Sequence, residues 1–289
     1  MRVRVTWGGN MFKNSKLVSF PLVAVPLLVG CDASIALVSE EITASREAFS
    51  PVNPPTGSII FTNSLEPEAL MPNDLGVHSL DTMSATTVAL LSGPDGTLLR
   101  ELLNYAVGCA LDEHARVEVV WTNGNGHVHR ESYRGQLGLA PDWQTRPLHV
   151  VEQEWVTACP AARTNWSSER MRISMQGNAQ GLGNANGEAN QFPIREGAFW
   201  GNLFSAVPYV RACYDSANVA YARAQGRECS AGHPEAGAVV ECGLIHVVGP
   251  CDDACAPTST AGHYTSCRID RTDLPNNAQT ARVITVFLR

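Results

Sequence analysis

Lysine is almost missing from this chain of 289 residues: only Lys13 and Lys16 occur. Acid is missing where lysine is present, since the first thirty residues hold neither Asp nor Glu. After residue 30 there are 17 arginines against 28 acids, a formal charge of 17 − 28 = −11. Phosphate backbones are bound by clustered Lys and Arg, so nucleic acid is excluded as a partner class. The scarcity of lysine fits a GC-rich genome. No second long apolar run follows the one near the amino terminus, which leaves no segment of about 20 apolar residues to span a bilayer. The nucleophile elbow G-x-S-x-G, the zincin H-E-x-x-H and the P-loop are absent as well.

What is present begins with an address. Arg2, Arg4, Lys13 and Lys16 precede an apolar run from Leu17 to Val29, interrupted by Pro21 and Pro26. Positive charge, then apolar residues, then small residues is the order of a secretory signal. Met11 is an alternative start that keeps this order. The run ends in Leu28-Val29-Gly30-Cys31, which resembles the lipobox of bacterial lipoproteins. The resemblance implies cleavage before Cys31, a diacylglycerol thioether on its sulfur, and acyl chains such as palmitate in the membrane. Two or three such chains anchor a protein firmly, whereas one does so marginally. Asp32 bears on sorting between inner and outer membrane, which stays open.

Nine cysteines less Cys31 leave eight: Cys109, Cys159, Cys213, Cys229, Cys242, Cys251, Cys255 and Cys267. An even number in an exported chain reads as a disulfide framework. Setting Cys31 aside is what makes the count even, in accord with its lipid role.

Residues 31–58, with Pro51, Pro54 and Pro55, read as a lipidated tether. Residues 59–96 form an arm in which Ile60, Leu65, Leu70, Leu75 and Leu80 recur every five residues. The spacing resembles a pentapeptide repeat, but too few units stack for a repeat core, so an irregular arm packed on the domain is favoured. From residue 97 to 289 the chain reads as one cysteine-rich domain. Leu98, Leu99, Leu102, Leu103, Ala106, Val107 and Ala110 predict a helix over 97–110. Val117, Val119 and Trp121 alternate along 116–121, and 122–126 is a turn that lets 128–133 return as a paired strand. A second helix is expected over 147–158, with Cys159 one turn beyond Trp155. Two cysteines at equivalent buried helix ends suggest a Cys109–Cys159 bridge. Residues 171–176 form a short strand, and 177–191 a Gly-, Asn- and Ala-rich loop. Order resumes over 195–204, with strands over 239–248 and 281–288. The cysteines from Cys213 onward are expected to bridge among themselves. The class is α+β: a disulfide-stapled single domain, helices in the first half and mainly antiparallel strands in the second.

Candidate chemistry is thin. His127, His129 and Glu131 share one face of a strand and are three potential ligands for zinc or copper, but a solvated strand face beside the turn is the favoured reading, since no second ligand group has diagnostic spacing. Cys251 and Cys255 lie four residues apart, a spacing that suits structural bridging better than a redox pair. Gly181 to Gly187 is one residue off the dinucleotide fingerprint but lacks a framing strand and helix. With eight histidines, no Ser–His–acid triad can be chosen, because its members need not be close in sequence. Trp143, Trp155, Trp166 and Trp200 are candidates for a groove, with core packing the favoured alternative.

Leu103 to Cys109, Gly135 to Pro141, Trp155 to Arg163 and Glu196 to Phe204 resemble stretches of uncharacterised cysteine-rich lipoproteins of GC-rich Gram-negative bacteria. The resemblance implies an exported disulfide-rich domain and no catalysis. The expectation is an envelope lipoprotein, held extracytoplasmically by lipid on Cys31, with a non-catalytic binding or structural role. It needs no cofactor, and its partner is an envelope protein or polymer. The competing class is an extracytoplasmic hydrolase or metalloprotein using His127, His129 and Glu131.

Overall fold

In the computed structural model, residues 4–5, 75–92, 96–122, 125–166, 171–182, 188–256, 258–259 and 262–289 are described. Cys31 and its lipobox, the tether, Ile60, Leu65, Leu70 and Gly183 to Gly187 lie outside the described residues. Among the described residues, no helix is long and apolar enough to cross a membrane.

The leucine stripe folds as its spacing predicts. After a short helix α1 (Ala85–Ser92) comes α2 (Gly96–Ala110), whose stripe is buried on two sides. Leu99, Leu103, Ala106, Val107 and Ala110 face a cluster built with Leu75, Leu80, Leu91 and Trp143. Leu102, Tyr105 and Cys109 face a second cluster against the main sheet. Leu75 and Leu80, the last two members of the five-residue series, are buried in the first of these clusters, with a 3-10 turn over Leu80–Thr82.

Strands β2 (Arg116–Thr122) and β3 (Val128–Arg134) form the expected hairpin, with Thr122 opposite Val128 and Trp121 opposite His129. Arg4–Val5 (β1) pairs on its far edge with Glu118 and Val117. The second long helix, α3 (Val150–Arg163), begins where Glu152 accepts the His149 backbone N–H at 2.8 Å and binds Arg146. It continues five residues past its expected end. Pro160 removes one intrahelical bond, but Ala161, Ala162 and Arg163 are all buried, and that packing overrides the loss. A Cys109–Cys159 disulfide, with Cα atoms 6.0 Å apart, joins α2 to α3. Beside it lies the Arg163 guanidinium, whose pKa burial pulls down to about 10, donating to Gln136 Oε1 at 2.6 Å.

The remaining elements build a five-stranded sheet. Its strands are β4 (Ser174–Gln176), β5 (Ile194–Asn202), β6 (Tyr209–Tyr214), β9 (Ile245–Pro250) and β12 (Ile284–Leu288), in the order β4-β12-β5-β6-β9. All neighbours are antiparallel except β6 and β9. The crossover between those two carries a helix (Val219–Ala224) and a hairpin of β7 (His233–Glu235) and β8 (Ala238–Val240), and Cys229–Cys242 ties it down. The single strand expected over 239–248 is therefore two, interrupted where Cys242 is bridged and Gly243 turns with φ 58. The expected 177–191 loop contains a 3-10 turn (Gln180–Leu182) and a helical turn (Glu188–Gln191).

Alternation along the sheet gives it two buried faces. Phe199, Val210, Ala212, Ile284 and Val286 meet α2 and α3. Ala198, Trp200, Tyr209 and Cys213 meet the carboxyl-terminal segment, where β10 (Cys267–Arg268) pairs with β11 (Gln279–Thr280), with Cys251, Tyr264, Cys267 and Ile269. A buried ion pair crosses the middle: Arg227 Nε lies 2.9 Å from Glu196 Oε2, with the two side chains 1% and 0% exposed. The same guanidinium donates to Ala162 O and Thr164 O, both at 2.7 Å, and so closes the end of α3. The whole is an α+β domain stapled by four disulfides, with the long helices early and mainly antiparallel strands late.

Candidate functional site

Strand pairing decides which face of β3 turns inward. His129, Glu131 and Tyr133 lie opposite Trp121, Val119 and Val117, whose side chains are buried. The His/Glu face is therefore on the core side of the hairpin at its Tyr133 end and solvated at His127 and His129. It leaves the core gradually: Tyr133 is buried, Glu131 half-buried and His129 exposed.

Helix α2 completes the cluster. The Arg100 guanidinium sits 4.3 Å from the centroid of the Trp121 ring, and the His129 ring stacks on Trp121 at 5.1 Å and 12°. A cation over an indole is held by the ring quadrupole, worth about 0.5–1 kcal/mol at an exposed site and up to about 2 kcal/mol where, as for Arg100 and Trp121, both groups are largely buried. Arg100 Nε also lies 3.9 Å from Glu131 Oε1, and the Tyr133 hydroxyl donates to Glu131 Oε2. Burial and then that carboxylate raise the Tyr133 pKa, so the phenol remains the proton donor of the pair.

This arrangement bears on the metal expectation. Glu131 is committed to Tyr133 and Arg100, and His129 lies flat against Trp121. Among the described residues, no group of three His, Cys, Asp or Glu side chains is placed to hold a metal ion, the His127, His129 and Glu131 set included. What the hairpin presents outward is an imidazole backed by indole and guanidinium, next in sequence to Val128, which is 68% exposed.

The groove expectation for the tryptophans resolves toward packing. Trp143, Trp155 and Trp200 are buried, with the indole N–H of Trp143 donating to His78 O and that of Trp200 to Arg268 O. Trp166, half-buried, stacks on His233 at 4.2 Å and 7°, and His233 pairs with Glu228. Cys251 and Cys255 belong to different bridges, Cys213–Cys251 and Cys255–Cys267.

One constellation had no signal in the sequence. Ser259 Oγ lies 3.1 Å from His263 Nδ1, and His263 Nε2 lies 2.9 Å from Asn178 Oδ1, across a gap of 85 residues. Burial lowers the His263 pKa and favours its neutral form. The Ser259 N–H donates to His263 O at 2.8 Å, so the serine–histidine contact closes a local turn, and Asn178 fastens that turn to the segment after β4. Asn178 bears no charge to stabilise an imidazolium, as the acid of a serine triad does.

No family model matches this chain, nor does any curated protein or solved structure.

Proposed function

We propose that this chain is a lipid-anchored extracytoplasmic domain of the cell envelope with a non-catalytic binding or structural role. One observation carries the proposal. The eight cysteines among the described residues pair into four disulfides, which leaves Cys31 over from the nine in the sequence. Four structural disulfides suit an oxidising compartment. A ninth cysteine at the end of an apolar run suits a lipid. The surface offered for binding is the hairpin tip around Arg100, Trp121 and His129, and its partner is an envelope protein or polymer.

The test is mass spectrometry of the protein extracted from membranes without reduction. A mature chain starting at Cys31 with added acyl mass, and so without the edge strand β1, is the expected result, and Cys31→Ser should move the protein from the membrane to the soluble fraction. An unacylated start, or membrane retention of the serine variant, would overturn the anchor.

A further inference from the structure

Two disulfides touch each other on the outer side of the sheet. Cys213, on β6, is bonded to Cys251, and Cys255 is bonded to Cys267. One helical turn (Cys251–Ala254) separates Cys251 from Cys255, and the Cys255 N–H donates to Cys251 O at 2.8 Å. The turn brings Cys255 Sγ to 3.7 Å from Cys213 Sγ, across the boundary between the two bridges. Burial is unequal. Cys213, Cys251 and Cys267 are at most 1% exposed, whereas Cys255 is only partly buried. Of the four cysteines, Cys255 is the one not fully buried, and its sulfur is the one that meets Cys213 of the other bridge.

We propose that Cys255 is the surface entry of a thiol–disulfide relay that reaches the buried Cys213–Cys251 bond, with a dithiol as its co-reactant. Exchange proceeds by attack of a thiolate on a disulfide sulfur. In the first step, a thiolate of the dithiol attacks Cys255 Sγ. The Cys255–Cys267 bond breaks, and Cys267 leaves as a thiolate and takes up a proton. The second thiolate of the dithiol then attacks its own sulfur in the mixed disulfide. The dithiol is oxidised to its disulfide, and Cys255 is released as a thiolate, so two electrons have entered the protein. Next the Cys255 thiolate attacks Cys213 Sγ. A Cys213–Cys255 bond forms, the Cys213–Cys251 bond breaks, and Cys251 leaves and is protonated; this step moves no net electrons. Closing the 3.7 Å gap to a bond of about 2.0 Å is a shift of side-chain scale. The new bond again carries its outward sulfur at Cys255, where a second dithiol reduces it. The buried bridge is thus reached without unfolding the domain, and the segment after β9 is released in a fixed order.

The probe is dithiothreitol, added in limiting amount to the full chain. The reaction is quenched by acid and alkylation, and the bonds are mapped by peptide mass spectrometry. The expected intermediate has a Cys213–Cys255 bond, alkylated Cys251 and Cys267, and intact Cys109–Cys159 and Cys229–Cys242. In Cys255→Ser, reduction of Cys213–Cys251 should slow at least tenfold. Loss of all four bridges together, native pairs alone at every stage, or an unchanged rate in the serine variant would overturn the relay. Should that variant fail to fold, the map of the natural chain decides alone.

Discussion

Replacing Arg227 by methionine strips a buried carboxylate of its counter-ion and leaves the end of α3 open. Glu196 is fully buried, and Arg227 supplies its ion-pair partner as well as donors to Ala162 O and Thr164 O. Removing one member of a buried pair costs about 3–5 kcal/mol, because the other charge stays behind. The two carbonyl bonds, with a charged donor, account for a separate share of about 1.5–3 kcal/mol each at most. The pH dependence identifies which part is electrostatic. Burial raises the Glu196 pKa above its ordinary 4.5 while Arg227 opposes the rise, so losing Arg227 lifts it further. A carboxyl with a raised folded-state pKa adds stability below its unfolded pKa and loses it as pH rises through the folded value. The deficit of R227M should therefore be greatest near neutrality and narrow on acidification toward 4.5. Adding E196Q removes the buried charge; the double variant should recover part of the loss and lose the extra pH dependence. Urea unfolding without reductant, followed by circular dichroism, measures this. A neutral-pH deficit under about 1 kcal/mol, far below the usual cost of breaking a buried pair, would refute the argument, as would a deficit that does not change with pH.

The disulfides should differ in worth. Cys109–Cys159 closes a separation of 50 residues and Cys229–Cys242 one of 13. Loop-closure entropy gives about 4 and about 3 kcal/mol, so the double alanine variant of the first pair should unfold at lower urea. At the hairpin, W121A should cost about 3–5 kcal/mol as a large core deletion, whereas H129A, at an exposed position, should stay within about 0.5 kcal/mol. An H129A variant that loses partner binding while keeping its urea midpoint would assign recognition to the tip; unchanged binding would remove His129 from that role. Gly197 has room for no side chain, since a Cβ there would lie 2.1 Å from Cys213 O. G197A should therefore part β5 from β6 and lower stability by about 1–3 kcal/mol, the usual cost of overpacking, as read by thermal unfolding.

Much of the first half was legible because its signals are local. The 3.6-residue spacing from Leu99 to Ala110 and the alternation from Val117 to Trp121 each need only a dozen residues of context. The Cys109–Cys159 bridge followed from the same stripes, since each cysteine continues a buried helix face. The limits were non-local. The packing of helix α2 against the hairpin decided that Glu131 meets Arg100, and nothing within 127–131 encodes that partner choice. Glu196 and Arg227 are 31 residues apart with no pattern between them. The three later bridges depend on where β6 and β9 come to lie, which cysteine spacing does not specify. Pro160 belongs to a helix because tertiary burial outweighed a local breaker.

The order β4-β12-β5 has a consequence for how the domain is assembled. Strand β12, at residues 284–288, lies between two strands that precede it by some eighty to a hundred residues or more. A chain delivered from its amino end must keep β4 and β5 apart, edges uncovered, until those last apolar residues arrive. Pairings so distant in sequence are slow to form. The waiting edges are meanwhile open to other strands. Delivery of the chain therefore precedes completion of the sheet, and any holding factor in that interval would have to shield the unfilled slot between β4 and β5.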